Sequence, residues 1–343
     1  MRAVVHTGPR RIEVVEVPEP VPGPRQAVVD MRVSGICGSD LHTYRREALA
    51  GVVPVPMGHE PCGVVSAVGE CVTHIAPGER VSVYHYESCG ACQDCHRGDW
   101  MWCRNRGDTG ILGWNTPGAF QDRLLVNACN CLPLPAALND VDGAFIACGA
   151  GTTWSALLKV EPTETDTAVV FGLGPIGLLG VMFLRAFGVR VIGVGRRAAR
   201  LDMAVRLGAE DVVDVDACDE VFSALRRLCP DGISLAYETS GAVRAQADML
   251  KVLDRGARAV CVGLGSDEPA VNLNHIAGRQ LRLFGSFVMN VGEYENLTRF
   301  IMANQLDLSS LVSHRFSLDD AQQAYETADR GDCTKVIFEW PVA

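Results

Sequence analysis

Long apolar runs are missing from this sequence. No stretch approaches the ~20 consecutive apolar residues of a membrane-spanning helix. The opening MRAVVHTGPRRIEVVEV has neither the apolar core nor the small-residue cleavage site of an export signal. No membrane association is expected, and a cytoplasmic setting is. Basic charge is also in short supply, with 31 Lys and Arg against 41 Asp and Glu for a net charge of −10. A chain built to grip nucleic acid or anionic lipid concentrates the opposite sign. Aromatic residues make up only 6% of the chain, and no internal repeat or low-complexity tract is present. The remainder is globular in composition: 48% hydrophobic and 21% charged, with a mean hydropathy of +0.12. Those values exclude a disordered or collagen-like chain. A length of 343 residues suits roughly two domains. Two residue types are in surplus. The 35 glycines exceed the ~7% average and imply tight turns and close backbone approaches. The 14 cysteines are more telling, because in a reducing compartment clustered cysteines serve as metal ligands more often than as bridges.

The texture of the chain changes near residue 151. Before it, short valine-rich runs at 2–6, 11–17, 27–33 and 62–68 are punctuated by Pro and Gly, and read as strands. After it, TAVVFGLG, VRVIGVG, ISLAYETSG and ARAVCVGLG are continuous apolar strands ending in Gly, separated by segments with helical periodicity. Buried parallel strands with crossover helices produce that alternation. Beyond about residue 287 the pattern is amphipathic again. There SLDDAQQAYETAD reads as a helix capped by its Ser, and KVIFEW as a last short strand. The expected fold class is α/β. A β-rich domain spans 1–150 and 288–343, and a doubly wound parallel sheet spans 151–287.

Gly172-Leu173-Gly174-Pro175-Ile176-Gly177 follows an apolar strand and opens a helix. The first Gly of such a loop makes the turn, the second lets the backbone approach a pyrophosphate, and the third allows close packing. The helix N-terminus adds free N–H groups and partial positive charge. The next strand ends in Gly195, Arg196 and Arg197, where NAD-binding folds usually place Asp or Glu. A Gly leaves room for a 2′-phosphate and an Arg pairs with it. NADP(H) is therefore the preferred cofactor, with NAD(H) as the alternative if the arginines are simply solvated.

Cys89, Cys92, Cys95 and Cys103 form a C-x2-C-x2-C-x7-C loop. Four thiolates so spaced close a tetrahedral shell around a structural Zn2+. A second set is scattered: Cys37, His59 and Cys148. Two thiolates and one imidazole leave a fourth position on a zinc open to water or substrate. The remaining cysteines show no ligand spacing and read as small hydrophobes.

Taken together, Cys37-x2-Asp40-x-His42, Gly58-His59-Glu60, the four-cysteine loop, Cys148 and GLGPIG resemble, in order, the zinc-containing medium-chain alcohol dehydrogenases. The resemblance runs the whole length of the chain. YHYESCGACQDC, ILGWN and VSHRFSLDDAQQAYE are similar to the threonine dehydrogenase-like and polyol dehydrogenase branch. It implies a GroES-like β-rich catalytic domain holding two zincs, one catalytic and one structural, with an inserted Rossmann domain. The activity implied is hydride transfer between a nicotinamide cofactor and a secondary alcohol or ketone. By the same resemblance Ser39 takes the alcohol proton, His42 relays it, Asp40 fixes the ligand histidine, and Glu60 stands beside that histidine. His85 falls at a pocket-lining position, and Trp114 and Asn115 are candidates for the same pocket. A polar substrate follows: a polyol, an amino alcohol or a sugar-like ring. Threonine and polyol enzymes often carry Glu near the third ligand, whereas Cys148 here lies in ACGAG with no Glu nearby. The resemblance also implies a homodimer or homotetramer, while the acidic balance argues against a nucleic-acid partner. The competing reading is a non-catalytic sensor that keeps both metals and the nicotinamide site.

Overall fold

The computed structural model describes residues 1–47, 54–106, 110–265 and 267–341. Two compact units emerge, Met1–Gly151 together with Asn290–Ala343, and Thr152–Met289. Among the described residues no helix is long and apolar enough to cross a membrane.

In the first unit β1 (Arg2–Gly8) pairs antiparallel with β2 (Arg11–Glu16). A larger sheet is built around β3 (Gln26–Gly35), a central strand with Ala27–Val29 and Val33–Gly35 buried in succession, as a strand covered on both faces requires. It pairs antiparallel with β4 (Pro61–Val68), which is followed outward by β5 (Arg80–Val83). β6 (Arg123–Asn127) also pairs with β3, and β7 (Cys131–Pro133) with β5. Helices α1 (Gly38–Tyr44), α2 (Gln93–His96) and α3 (Asp140–Ala147) lie in the connections. Asn139 starts α3 as a capping box: its side-chain oxygen accepts from Asp142 N–H, and the Asp142 carboxylate accepts from Asn139 N–H.

Helix α4 (Gly149–Val160) leads into the second unit, where β8 (Thr167–Phe171), β9 (Arg190–Gly195) and β10 (Asp211–Asp214) follow. β11 (Leu235–Glu238), β12 (Arg258–Cys261) and β13 (Arg282–Gly285) complete one parallel sheet, ordered β10-β9-β8-β11-β12-β13. Its central strands are apolar on both faces because α5 (Pro175–Ala186), α6 (Ala198–Arg206), α7 (Val221–Leu228), α8 (Val243–Val252) and α9 (Leu273–Arg279) supply the crossovers. Strand order reverses between β8 and β11. That is the switch point beside which open α/β sheets bind ligands.

The chain returns to the first unit with α10 (Tyr294–Ala303), β14 (Val312–Phe316), α11 (Ala321–Arg330) and β15 (Lys335–Glu339). β15 pairs antiparallel with β3, so the last strand is laid beside the segment that leads to Cys37. One expectation is corrected here. Ser317 does not cap a helix through its side chain; its hydroxyl donates to Asp320 at 2.7 Å, and a 3-10 turn over Leu318–Asp320 precedes α11.

Candidate active site

Three element ends converge in the first unit. Cys37 is the residue just ahead of α1, His59 stands just ahead of β4, and Cys148 ends α3 with φ −142° and ψ −77°. Gly58 makes the turn that delivers His59: its φ is +91°, and a Cβ there would lie 2.5 Å from the Phe120 ring. The ligand atoms of Cys37, His59, Glu60 and Cys148 all lie within 4.8 Å of one another. Contact with the Cys148 thiol and with His59 holds the Cys37 thiol well below its usual pKa, and a thiolate is the form that binds metal. His59 is oriented from behind. Its Nδ1–H donates to Asp40 Oδ1 at 3.1 Å, which leaves Nε2 for a metal, as ligating histidines require. Asp40 is itself held by α1, since its Oδ2 accepts from Cys37 N–H at 2.7 Å. Soft thiolates, one imidazole and a carboxylate form a donor set that suits zinc.

Ser39 Oγ lies 3.3 Å from His59 Nε2, on the metal-facing side of the imidazole. His42 is one turn further along α1 and is exposed. His85 is 3% exposed, and its Nδ1–H donates to Ala147 O at 2.8 Å. Burial, with His59 adding to it, pushes the His85 pKa down to about 3, so the ring is neutral and Nε2 is an acceptor. The Trp114 ring stands 4.6 Å from the His59 ring and the His85 ring 5.3 Å from it. Asn115 uses its side-chain oxygen to accept from Ile111 N–H at 3.1 Å, so it also shapes its own turn.

The four cysteines of the loop gather as their spacing predicts. Sγ–Sγ separations are 3.4 Å for Cys92–Cys95, 3.8 Å for Cys89–Cys95 and 4.0 Å for Cys92–Cys103. A tetrahedron of thiolates at ~2.3 Å from zinc has edges of roughly 3.8 Å. The shell is therefore closed and lacks a substrate position. Asp94, 4% exposed at its side chain, ties the loop together by accepting from both Arg97 and Arg104.

In the second unit Gly174 caps α5, with Pro175 at its first position. The glycines of the loop divide by what surrounds them. A Cβ on Gly177 would lie 1.8 Å from Gly172 O, whereas a Cβ on Gly174 would meet nothing within 4 Å. Gly177 is fixed by packing, and Gly174 leaves a cradle open to a ligand. Ile176 is the next-to-last residue of that loop. Arg196 and Arg197 are exposed, and Arg197 takes a left-handed φ of 76°. Gly195 needs a second explanation. A Cβ there would come within 2.9 Å of the Leu173 side chain, so its lack of a side chain also serves loop packing.

Two family models match the chain, the alcohol dehydrogenase GroES-like domain over residues 23–136 and the zinc-binding dehydrogenase over residues 175–303. An uncharacterized zinc-type alcohol dehydrogenase-like protein of Escherichia coli K12 is 33% identical, over 99% of both chains. An L-threonine 3-dehydrogenase of Mesorhizobium japonicum is 31% identical over 95% of this chain and 94% of its own. This chain belongs to the zinc-type alcohol dehydrogenase family. Two solved structures are similar at a TM-score of 0.88 over 99% of each chain. One is a putative zinc-binding dehydrogenase from Sinorhizobium meliloti 1021 bound to NADP, 28% identical. The other is an alcohol dehydrogenase from E. coli CFT073 complexed with NADH, 27% identical.

Sequence reasoning missed two groups of this dehydrogenase. Lys335 on β15 pairs with Glu60 at 2.6 Å, and both side chains are almost wholly buried. Burial raises the Glu60 carboxyl to about 7 against the pull of the Lys335 cation. Gly35 makes room for the pair, since a Cβ there would fall 2.0 Å from Glu60 Oε2. The second group is Thr239 and Ser240 behind the glycine-rich loop, which had no motif to mark them. The cysteines without ligand spacing are also more varied than small core hydrophobes: Cys71 and Cys129 are exposed.

Proposed function

We propose that this enzyme transfers hydride between NADP(H) and a secondary alcohol or ketone on a polar substrate, with NAD(H) as a second cofactor. The observation that carries the reading is the gathering of Cys37, His59 and Cys148 within 4.8 Å, with Ser39 Oγ 3.3 Å from the metal-facing nitrogen. Two zincs per chain accompany it, one at this cluster and one in the four-cysteine loop. Zinc at the open cluster supplies a Lewis acid, which lets an alcohol of very high pKa lose its proton near neutrality. The dinucleotide supplies the hydride acceptor.

The chain's own residues do the rest. Cys37, His59 and Cys148 hold the metal, and Asp40 keeps the His59 proton on Nδ1. Ser39 Oγ takes the proton of the substrate hydroxyl, and exposed His42, one helical turn away, delivers it to solvent. Glu60 stands beside the ligands as a carboxylate able to approach the metal. His85 Nε2, an acceptor, selects for a substrate that carries a second donor, either hydroxyl or ammonium. Trp114 walls the same pocket. Gly172, Gly174 and Gly177 form the pyrophosphate cradle, and Arg196 and Arg197 supply positive charge for a 2′-phosphate. The same likeness supports a homodimer or homotetramer.

A screen of polyols, amino alcohols and amino sugars with NADP+ and NAD+ tests the reading. Reduction of NADP+ dependent on a polar secondary alcohol, and lost in Cys37→Ala, is expected. Binding of dinucleotide and zinc with no turnover on any of these substrates supports the sensor instead.

A further inference from the structure

Glu238 ends β11 with none of its surface exposed. A carboxylate so buried is costly unless its oxygens are bonded. Here they are. Oε1 accepts from Ser240 N–H at 2.8 Å, from Gly241 N–H at 3.0 Å and from the Ser240 hydroxyl. Oε2 accepts from Gly241 N–H at 3.3 Å, and Ser240 Oγ in turn accepts from Ala242 N–H at 3.1 Å. The carboxylate thereby fixes a turn in which Gly241 sits at φ 67°.

That turn lies between two glycine loops of the same sheet end. On one side Thr239 Oγ1 donates to Gly172 O at 2.7 Å. A Cβ on Gly172 would lie 2.9 Å from Ser240 N, and one on Gly177 would lie 2.9 Å from Thr239 Oγ1. On the other side a Cβ on Gly263 would fall 2.1 Å from Gly241 N, and one on Gly265 would fall 2.1 Å from Gly241 O. The loops after β8, β11 and β12 therefore pack backbone to backbone, with the Glu238 turn as the middle layer.

We propose that Glu238 is a positioning residue for the dinucleotide: it fixes the turn of residues 239–241, which through Thr239 sets Gly172 and the N–H groups that face the phosphates. Glu238 touches no phosphate itself. The proposal rests on reading GLGPIG as the dinucleotide loop. A glutamine amide keeps one acceptor oxygen for the Ser240 N–H and hydroxyl and gives up only the weaker bond at Oε2. Thr239 is the only side-chain link to the Gly172 carbonyl among the described residues.

The test is titration of NADPH and NADH into the full-length enzyme by fluorescence, with melting temperatures measured alongside. Loss of the bonds that fix the turn predicts a dissociation constant raised about tenfold in Glu238→Ala. Glu238→Gln is expected to stay within about threefold of wild type. Thr239→Val leaves the carboxylate intact and is expected to raise the constant about fivefold at a near-normal melting temperature. Unchanged affinity in Thr239→Val overturns the proposal, whether or not Glu238→Ala folds. So does a Glu238→Ala variant that melts early yet binds normally. Wild-type enzyme that binds neither dinucleotide overturns the cofactor reading, which is a separate and visible failure.

Discussion

At the scale of single residues, Asp40 does two jobs with two oxygens. Oδ1 accepts from His59 Nδ1–H at 3.1 Å and Oδ2 accepts from Cys37 N–H at 2.7 Å, so one carboxylate aims two of the proposed metal ligands at once. Partners of this kind change metal affinity or activity by ~10–100-fold when removed. Asp40→Asn should show a loss in that range, read as zinc affinity by competition with a chelator, while the four-cysteine site is unaffected. His85 makes a different prediction. Its Nε2 is a neutral acceptor held by the bond from Nδ1 to Ala147 O. His85→Phe keeps a ring in place but removes the acceptor, and should raise KM for a polar substrate about tenfold with kcat less changed. An equal fall in kcat would move His85 from recognition to chemistry. Residues of this kind are only half legible in sequence. Asp40 is three residues from Cys37 and follows from a local motif, but the tautomer of His85 depends on a carbonyl 62 residues away.

At the scale of elements, the glycine-rich loop and helix α5 form one device. The strand–loop–helix order was readable because each glycine has a local cause. What the sequence could not separate is packing glycine from ligand glycine. Gly177 has a carbonyl 1.8 Å from its missing Cβ, while Gly174 faces open space. Gly174→Ala should therefore leave the melting temperature within about 3 °C of wild type and weaken dinucleotide binding at least tenfold. Gly177→Ala should lower both. Equal affinity in Gly174→Ala and wild type would remove the pyrophosphate from this cradle. Gly195 shows the limit of reading one position for one purpose, because Leu173 requires a glycine there regardless of which cofactor binds. Cofactor preference is better tested at Arg196 and Arg197, whose side chains are exposed.

At the scale of the molecule, the last strand reaches the candidate site. β15 carries Lys335 to within 2.6 Å of Glu60, a contact 275 positions apart in sequence. Glu60 lies in the Gly58-His59-Glu60 motif but Lys335 has no periodic or motif signal, so the pair could be found only once the sheet order β14-β15-β3 was known. Breaking a buried ion pair typically costs 3–5 kcal/mol, because the surviving charge is stranded. Glu60 escapes part of that cost by taking up a proton, its carboxyl already being raised to about 7. Lys335→Ala should therefore destabilise the enzyme by about 3 kcal/mol in denaturant unfolding, whereas loss of a surface pair would cost under ~1 kcal/mol. The alternation of strands and helices and the gathering of the four loop cysteines were legible because they rest on local periodicity and fixed spacing. The groups that tie distant segments together were not, because nothing local announces them.

Two metal sites with different roles are the central proposal for this enzyme, and zinc content per chain tests it without knowledge of the substrate. Wild-type enzyme should carry two zincs, Cys92→Ser should retain the one at Cys37, His59 and Cys148, and Cys37→Ala should retain the one in the four-cysteine loop. A Cys37→Ala protein that still holds two zincs, or a wild-type protein that holds one at most, would contradict it.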